Sequence, residues 1–485
     1  MLRRSSYLTV LVAGLAAAPL AGQGPADTAR AIARLHQRIH TLGVTVGPAI
    51  WPGYHPESIP TLYVIPRRAK VLLAWRDSTL EGFGPLSGAP GALWTDTQAV
   101  SLPSDRFIAF LSVAAGATAA DVLGLALHEE FHSFEHMSRR EGRRFGSGEN
   151  AMRVGDYPVF DADNEALWAV EGRLLLRAYR SRSAAETRVF ARRFLAVRAL
   201  RQARLDSSFA EFERMGEINE GLAQYALLHG ETEIGRALGG VWATDAARAV
   251  AEETALLDSL LSGTTLSVRR RFYATGSTMS LLLDRLAGPA WKRALVADDR
   301  TLQDELSLVV ESGGPRALGP AWEDSLGAMR RAAQAEAERA VASLRARRLA
   351  QVDSILAEPG LLIVLAAAGL PRHRFDMCGF DPQNTLQTGD GRTLHMRFVA
   401  LCAGDSVSAT FSQPVIEDGH TGDYRTVIAD AASLAIMAGA GPLALPDTGS
   451  VEATALRIDS PTFTLRAPHA TVTRLAGELR IAPRP

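Results

Sequence analysis

The chain offers little that would tie it to a charged or lipid partner. Among 485 residues, 52 Lys and Arg face 53 Asp and Glu, a net charge of −1. No global field therefore draws it to nucleic acid or to an anionic membrane. Lysine is almost absent, and arginine carries nearly all the positive charge. Arginine runs such as RRFLAVRALRQAR (192–204) fall in helix-like segments and read as solvated faces. Long apolar runs are missing beyond the N-terminus. No later segment reaches the roughly 18 uninterrupted apolar residues of a membrane span, so none is expected once the leader is removed. Cysteine occurs only twice, as Cys378 and Cys402. Two cysteines cannot build a zinc site alone. In an oxidising compartment they would join neighbouring strands; otherwise they are two buried thiols.

What is present begins with a leader. MLRRSS is basic, YLTVLVAGLAAAPLA is mostly apolar and ends in small residues, and GQG follows. This order is that of a secretory signal peptide, placed at residues 1–23. No cysteine near the cleavage zone would accept a lipoprotein anchor, so a secreted or periplasmic protein is expected. An apolar content of 47% with 22% charged residues is ordinary globular composition and excludes disorder over most of the length. The length calls for two or three domains.

The spacing of apolar residues predicts an α+β protein. GPADTARAIARLHQRIH (24–40) has helical spacing. Over about 42–116, TLYVIPRR, KVLLAWRD and RFIAFLSV read as strands between Gly- and Pro-rich loops. From Thr118, a candidate helix cap, to residue 358 the pattern is helical. Residues 161–206 form one or two long helices, and GEINEGLAQYALLHG starts another. A last helix carries a stripe through Leu326, Met329, Ala333, Ala337 and Leu344. After Pro359-Gly360 the pattern alternates every second residue, so 360–485 is read as a small all-β domain.

Chemistry concentrates in LALHEEFHSFEHMS (125–138). On a helix, His128 and His132 stand one turn apart on one face and can converge on one ion. Glu129 points beside that ion. This is HExxH: zinc lowers the pKa of a bound water, and the glutamate carries its proton. His136 lies about 12 Å beyond His128 along a straight helix, too far to share an ion whose ligands sit about 2 Å away. It reads as a supporting or surface residue. Glu130 and Glu135 also lack ligand spacing and read as a solvated face. His373, His395, His420 and His469 are scattered and are not read as ligands. The third ligand must come from elsewhere, and two Asn-Glu pairs offer it: Glu165 in DNEALWAVEG and Glu220 in INEGLAQYALLHG.

HExxH followed by NEGLAQY resembles the gluzincin zinc peptidases, and in particular the aminopeptidase N family and its peptidase-MA-like relatives. The resemblance covers roughly 105–300. It implies a zincin-like catalytic domain over 24–359, His128, His132 and Glu220 as zinc ligands, and Glu129 as general base. RRFYATGSTMSLLLD extends the likeness and implies that Tyr273 steadies the oxyanion. The long segment 161–206 departs from the family spacing, and no GAMEN-type motif precedes His128, which removes the basis for aminopeptidase specificity.

Glu165 stays open as the alternative ligand; its other role is an acidic residue at a helix N-terminus. Glu171 lies on a different face from Glu165. Asn219 would cap the helix and Tyr225 would brace the site. RRFGSGENAMRVGDYP (143–158) is either a lid or a connector. The expectation is a secreted peptidase with one zinc per chain, acting on a peptide or protein that pairs along the strand RFIAFLSV. Two other readings remain: an inert zincin-like envelope-binding protein, and a zinc hydrolase of non-peptide amides.

Overall fold

The structure is a computed structural model. It describes residues 41–59, 61–65, 69–73, 100–101, 107–112, 119–140, 143–144, 149–262, 268–298, 300–312, 319–382 and 384–485. The expected leader, the segment 24–40 and the Thr118 cap lie outside these residues. The chain divides into two compact units. One comprises Met1–Asn150 with Ala166–Ala333, the other Ala151–Glu165 with Gln334–Pro485.

In the first unit, helix α1 (41–50) precedes a four-stranded sheet of β1 (Thr61–Ile65), β2 (Ala69–Leu73), β3 (Val100–Ser101) and β4 (Phe107–Ser112). The order is β2-β1-β4-β3. β1 runs parallel to β4, and the outer pairs are antiparallel. β4 is therefore not the sheet edge, as a strand open to an extended peptide would have to be: Val100 and Ser101 pair with Ile108 and Phe107. β4 leads to α2 (Ala119–Met137), and a short hairpin of β5 (Arg139–Arg140) and β6 (Arg143–Arg144) follows.

The helices after it are α3 (Ala162–Arg180), α4 (Ala184–Gln202), α5 (Ser207–Leu238), α6 (Gly240–Ser262), α7 (Val268–Ala287), α8 (Ala290–Ala297), α9 (Leu302–Glu311) and α10 (Pro320–Leu356). Residues 161–206 thus hold two helices. Ser183 caps α4 by accepting from the Glu186 amide, and Asp206 caps α5 through the Ser208 amide. α5 therefore starts well before GEINEGLAQY, and Asn219 lies inside the helix rather than at its cap. Thr301 and Asp304 close a capping box on α9.

α5 is the central helix. Along 19 of its 32 residues the side chains or backbone are buried, against α2, α6 and α7. The arginine run 192–204 is not simply a solvated face. Arg198 and Arg201 are buried, and their guanidinium groups fork onto Glu217 and onto Glu171 and Glu213. Arg201 and Arg271 also lie over the Trp168 ring. The buried charges of Arg198 and Arg201 are tolerated because each guanidinium meets carboxylates in two-point contact.

The second unit is mainly strands: β7 (Leu361–Leu365), β8 (Asp376–Phe380), β9 (Thr385–Gln387), β10 (Arg392–His395), β11 (Val399–Ala403), β12 (Val407–Phe411), β13 (Val415–Asp418), β14 (Tyr424–Ile428), β15 (Ala435–Ala438), β16 (Gly441–Pro442), β17 (Gly449–Asp459), β18 (Phe463–Leu475) and β19 (Glu478–Arg484). They form one 13-stranded, mostly antiparallel sheet, with β7 parallel to β19. Alternate residues such as Leu401, Ala409, Phe411, Ile458, Leu465, Val472 and Ile481 fill its core. The last turns of α10 belong to this unit, where Val352 and Ile355 pack with Leu394 and Ile416. Cys378 on β8 and Cys402 on the adjacent β11 form a disulfide, with Cα atoms 5.9 Å apart. The chain is thus α+β, with a helical part followed by a strand-rich part.

Candidate metal centre

α2 is apolar on the face that meets β4 and α5, where Val122, Leu123, Ala126, Leu127 and Phe131 are buried. Most of its other described positions are buried too, with Asp121, Leu125, Phe134 and His136 half-buried. Glu130 and Glu135 are fully covered, which corrects their placement on a solvated face. The cause is that α2 is enclosed rather than half-exposed. Glu130 accepts from the Thr61 hydroxyl at 2.7 Å, and burial pushes its pKa well above the carboxylate range. The Tyr54 hydroxyl donates to the Leu127 carbonyl at 3.0 Å.

From this enclosed helix His128 and His132 meet Glu220 of α5. Their Nε2 atoms lie 3.2 Å apart. Glu220 Oε2 lies 3.8 Å from His128 Nε2 and 3.6 Å from His132 Nε2. These last two contacts are too long for hydrogen bonds, and Oε2 is buried with no hydrogen-bond partner among the described residues. Two imidazole nitrogens and a bare carboxylate oxygen so placed suit an ion. Donors about 2.0–2.1 Å from a tetrahedral zinc stand about 3.3 Å from one another. The three residues form a buried group able to hold a metal ion, the one such group of three or more His, Cys, Asp or Glu among the described residues. Glu165 is not a member. It sits in the first turn of α3, its carboxylate accepting from the Asn164 side chain at 3.3 Å. His136 is not a member either; its ring reaches the His132 carbonyl at 2.8 Å.

His132 and Glu220 have polar neighbours, and His128 has an aromatic one. Glu135 Oε2 lies 3.4 Å from His132 Nδ1, the nitrogen turned away from the group. Burial pushes Glu135 up to about 8, against the pull of His132. The two imidazoles differ. Burial lowers His128, whereas at His132 burial is outweighed by Glu135, Glu220 and Glu129, and the pKa is held well above its usual value. The His128 ring stacks on Tyr273 of α7, centroids 5.6 Å apart and 6° from parallel. Burial and then the charge of Glu220 hold the Tyr273 phenol well above its usual range. Glu129, between the two histidines on α2, is buried at 2% exposure, and its charge bears on both His132 and Tyr273.

Two residues at the site had no signal in the motif reading. Arg269 of α7 pairs with Glu220 Oε1, and it holds Glu149 through Nε at 2.9 Å and through its terminal nitrogen at 3.2 Å. Asn219 donates to Glu149 Oε2 at 2.6 Å. Arg269 could have been noticed, because it lies four residues before Tyr273 and so shares its helix face. Glu149 could not. It comes from the glycine-rich stretch 143–158, whose role the sequence left open. Burial would raise Glu220, but Arg269, His128 and His132 together hold it well below the usual carboxylate range. Tyr225 does not brace the ligands; its hydroxyl goes to Asp284, and its ring lies against His229 and Lys292.

No family model, curated protein or solved structure matches the chain. No described helix is long and apolar enough to cross a membrane.

Proposed function

We propose that the protein is a secreted zinc-dependent peptidase of the gluzincin type. The observation that carries this reading is the bare Glu220 Oε2, buried between the Nε2 atoms of His128 and His132. Histidine, histidine and carboxylate is a zinc donor set that leaves room for water or substrate. Zinc bound there would make water a nucleophile at neutral pH and polarise a scissile carbonyl.

The chain's own residues do the rest. Glu129 accepts the proton of the attacking water and passes it to the leaving nitrogen. Burial next to His132 keeps that carboxylate close to the reacting atoms and away from competing bulk water. The Tyr273 hydroxyl donates to the oxygen on which negative charge develops. A phenol of ordinary pKa, about 10, is already a donor at neutral pH. Glu135 holds the His132 ring with Nε2 turned inward.

Glu129→Gln tests the reading. It keeps the shape of the side chain and removes its basicity. Peptide hydrolysis is expected to fall by about 10²–10⁴-fold, while zinc content stays at the wild-type level. Unchanged hydrolysis in this variant would remove Glu129 from the mechanism.

A further inference from the structure

Glu220 presents two different oxygens. Oε2 faces the histidines with no hydrogen bond, and Oε1 is taken by Arg269. The terminal torsion of a glutamate is broad, so nothing intrinsic to the side chain selects which oxygen points where. A single hydrogen bond from a flexible donor would not select it either. Arg269 is not flexible here. Its planar fork lies on Glu149 at 2.9 and 3.2 Å, and Glu149 is fixed in turn by Asn219 at 2.6 Å. The Arg269 side chain is 11% exposed, and those of Glu149 and Glu220 are 7% and 6% exposed. The line Asn219, Glu149, Arg269, Glu220 begins and ends on α5 one residue apart, and passes through the glycine-rich stretch and α7 on the way.

We propose that Arg269 is the positioning residue of the metal centre: clamped by Glu149 and Asn219, it holds Oε1 of Glu220 so that Oε2 alone is offered to the ion. This rests on the zinc reading above. It assigns a task to Glu149, and it makes Arg269 irreplaceable by lysine. Lysine keeps the charge but has no fork with which to grip Glu149 and Glu220 together.

The test is zinc affinity by chelator competition, together with the visible absorption of the cobalt(II)-loaded protein, which reports the ligand geometry without any activity assay. Wild type is compared with Arg269→Gln, Arg269→Lys and Asn219→Ala. Both Arg269 variants are expected to bind zinc about 10–100-fold more weakly and to change the cobalt spectrum. Asn219→Ala, which loosens the clamp but leaves every charge in place, is expected to lose a smaller factor in the same direction. Wild-type affinity and spectrum in Arg269→Lys would show that charge alone suffices and overturn the proposal. If the Arg269 variants do not fold, Asn219→Ala decides: weaker zinc binding supports the clamp, and unchanged binding overturns it. A wild type that takes up no zinc would instead overturn the zinc centre itself, so the two failures are distinguishable.

Discussion

At the scale of single residues, the acids of the helical unit carry most of what spacing does not show. An apolar stripe tells which face of a helix is certain to be covered. It does not tell whether the opposite face is free, and α2 is covered by β4 and α5, so Glu130 and Glu135 are buried where the pattern placed them in water. Glu231 on α5 is a further case. It is 4% exposed, and its Oε2 has no hydrogen-bond partner among the described residues. Burial pushes its pKa well up, and the charges of Glu253 and Asp121 add to the effect. A carboxyl raised in the folded state folds best when protonated. Its favourable contribution is complete below its unfolded pKa of about 4.3 and is lost as pH rises toward the folded value. Glu231→Gln cannot lose that proton. It should raise Tm at pH 8 by about 1–2 °C, the shift for roughly 1 kcal/mol in a unit of this size, and change it little at pH 4. Melting curves at the two pH values check this; an equal shift at both would show that titration is not the cause.

At the scale of elements, the site depends on how closely α5 and α7 approach. A Cβ on Gly221 would lie 2.5 Å from the Gly276 Cα, and one on Gly276 would lie 2.4 Å from the Glu217 carbonyl oxygen. The obstacles are backbone atoms and cannot swing aside. These two glycines set the crossing, and the crossing brings Arg269 and Tyr273 to Glu220. The glycine of NEGLAQY and that of YATGS therefore share one physical reason, helix contact. Gly276→Ala should force the helices apart, cost about 1–3 kcal/mol, and weaken zinc binding. A thermal melt and a zinc titration of the same sample check both effects; wild-type values in both would contradict this account of the crossing. At this scale the sequence was informative where one helix suffices. His128, Glu129 and His132 follow from a four-residue spacing, and the strands and long helices follow from periodicity. The pairing of α2 with α5 brings together residues some ninety positions apart, and spacing left Glu165 and Glu220 equally open. Only the resemblance to gluzincins favoured Glu220.

At the scale of the whole molecule, composition and compactness give different views. The pattern changes at Pro359-Gly360, where α10 ends and β7 begins. Compactness divides the chain inside α10 at Ala333 and assigns Ala151–Glu165 to the strand-rich unit. The reason is visible in side chains: Val352 and Ile355 serve the core with Leu394 and Ile416, and Gln387 donates to the carbonyls of Val154 and Tyr157. A helix can keep one periodicity along its length while its two ends serve different cores, and no composition shift marks that. The proposed function rests on the first unit and on which carboxylate would serve as third ligand. The most direct test is zinc per chain in the purified protein, measured for wild type, Glu220→Ala and Glu165→Ala. About one zinc is expected in wild type and in Glu165→Ala, with loss in Glu220→Ala. No zinc in wild type after zinc is supplied, or loss in Glu165→Ala alone, would contradict that expectation.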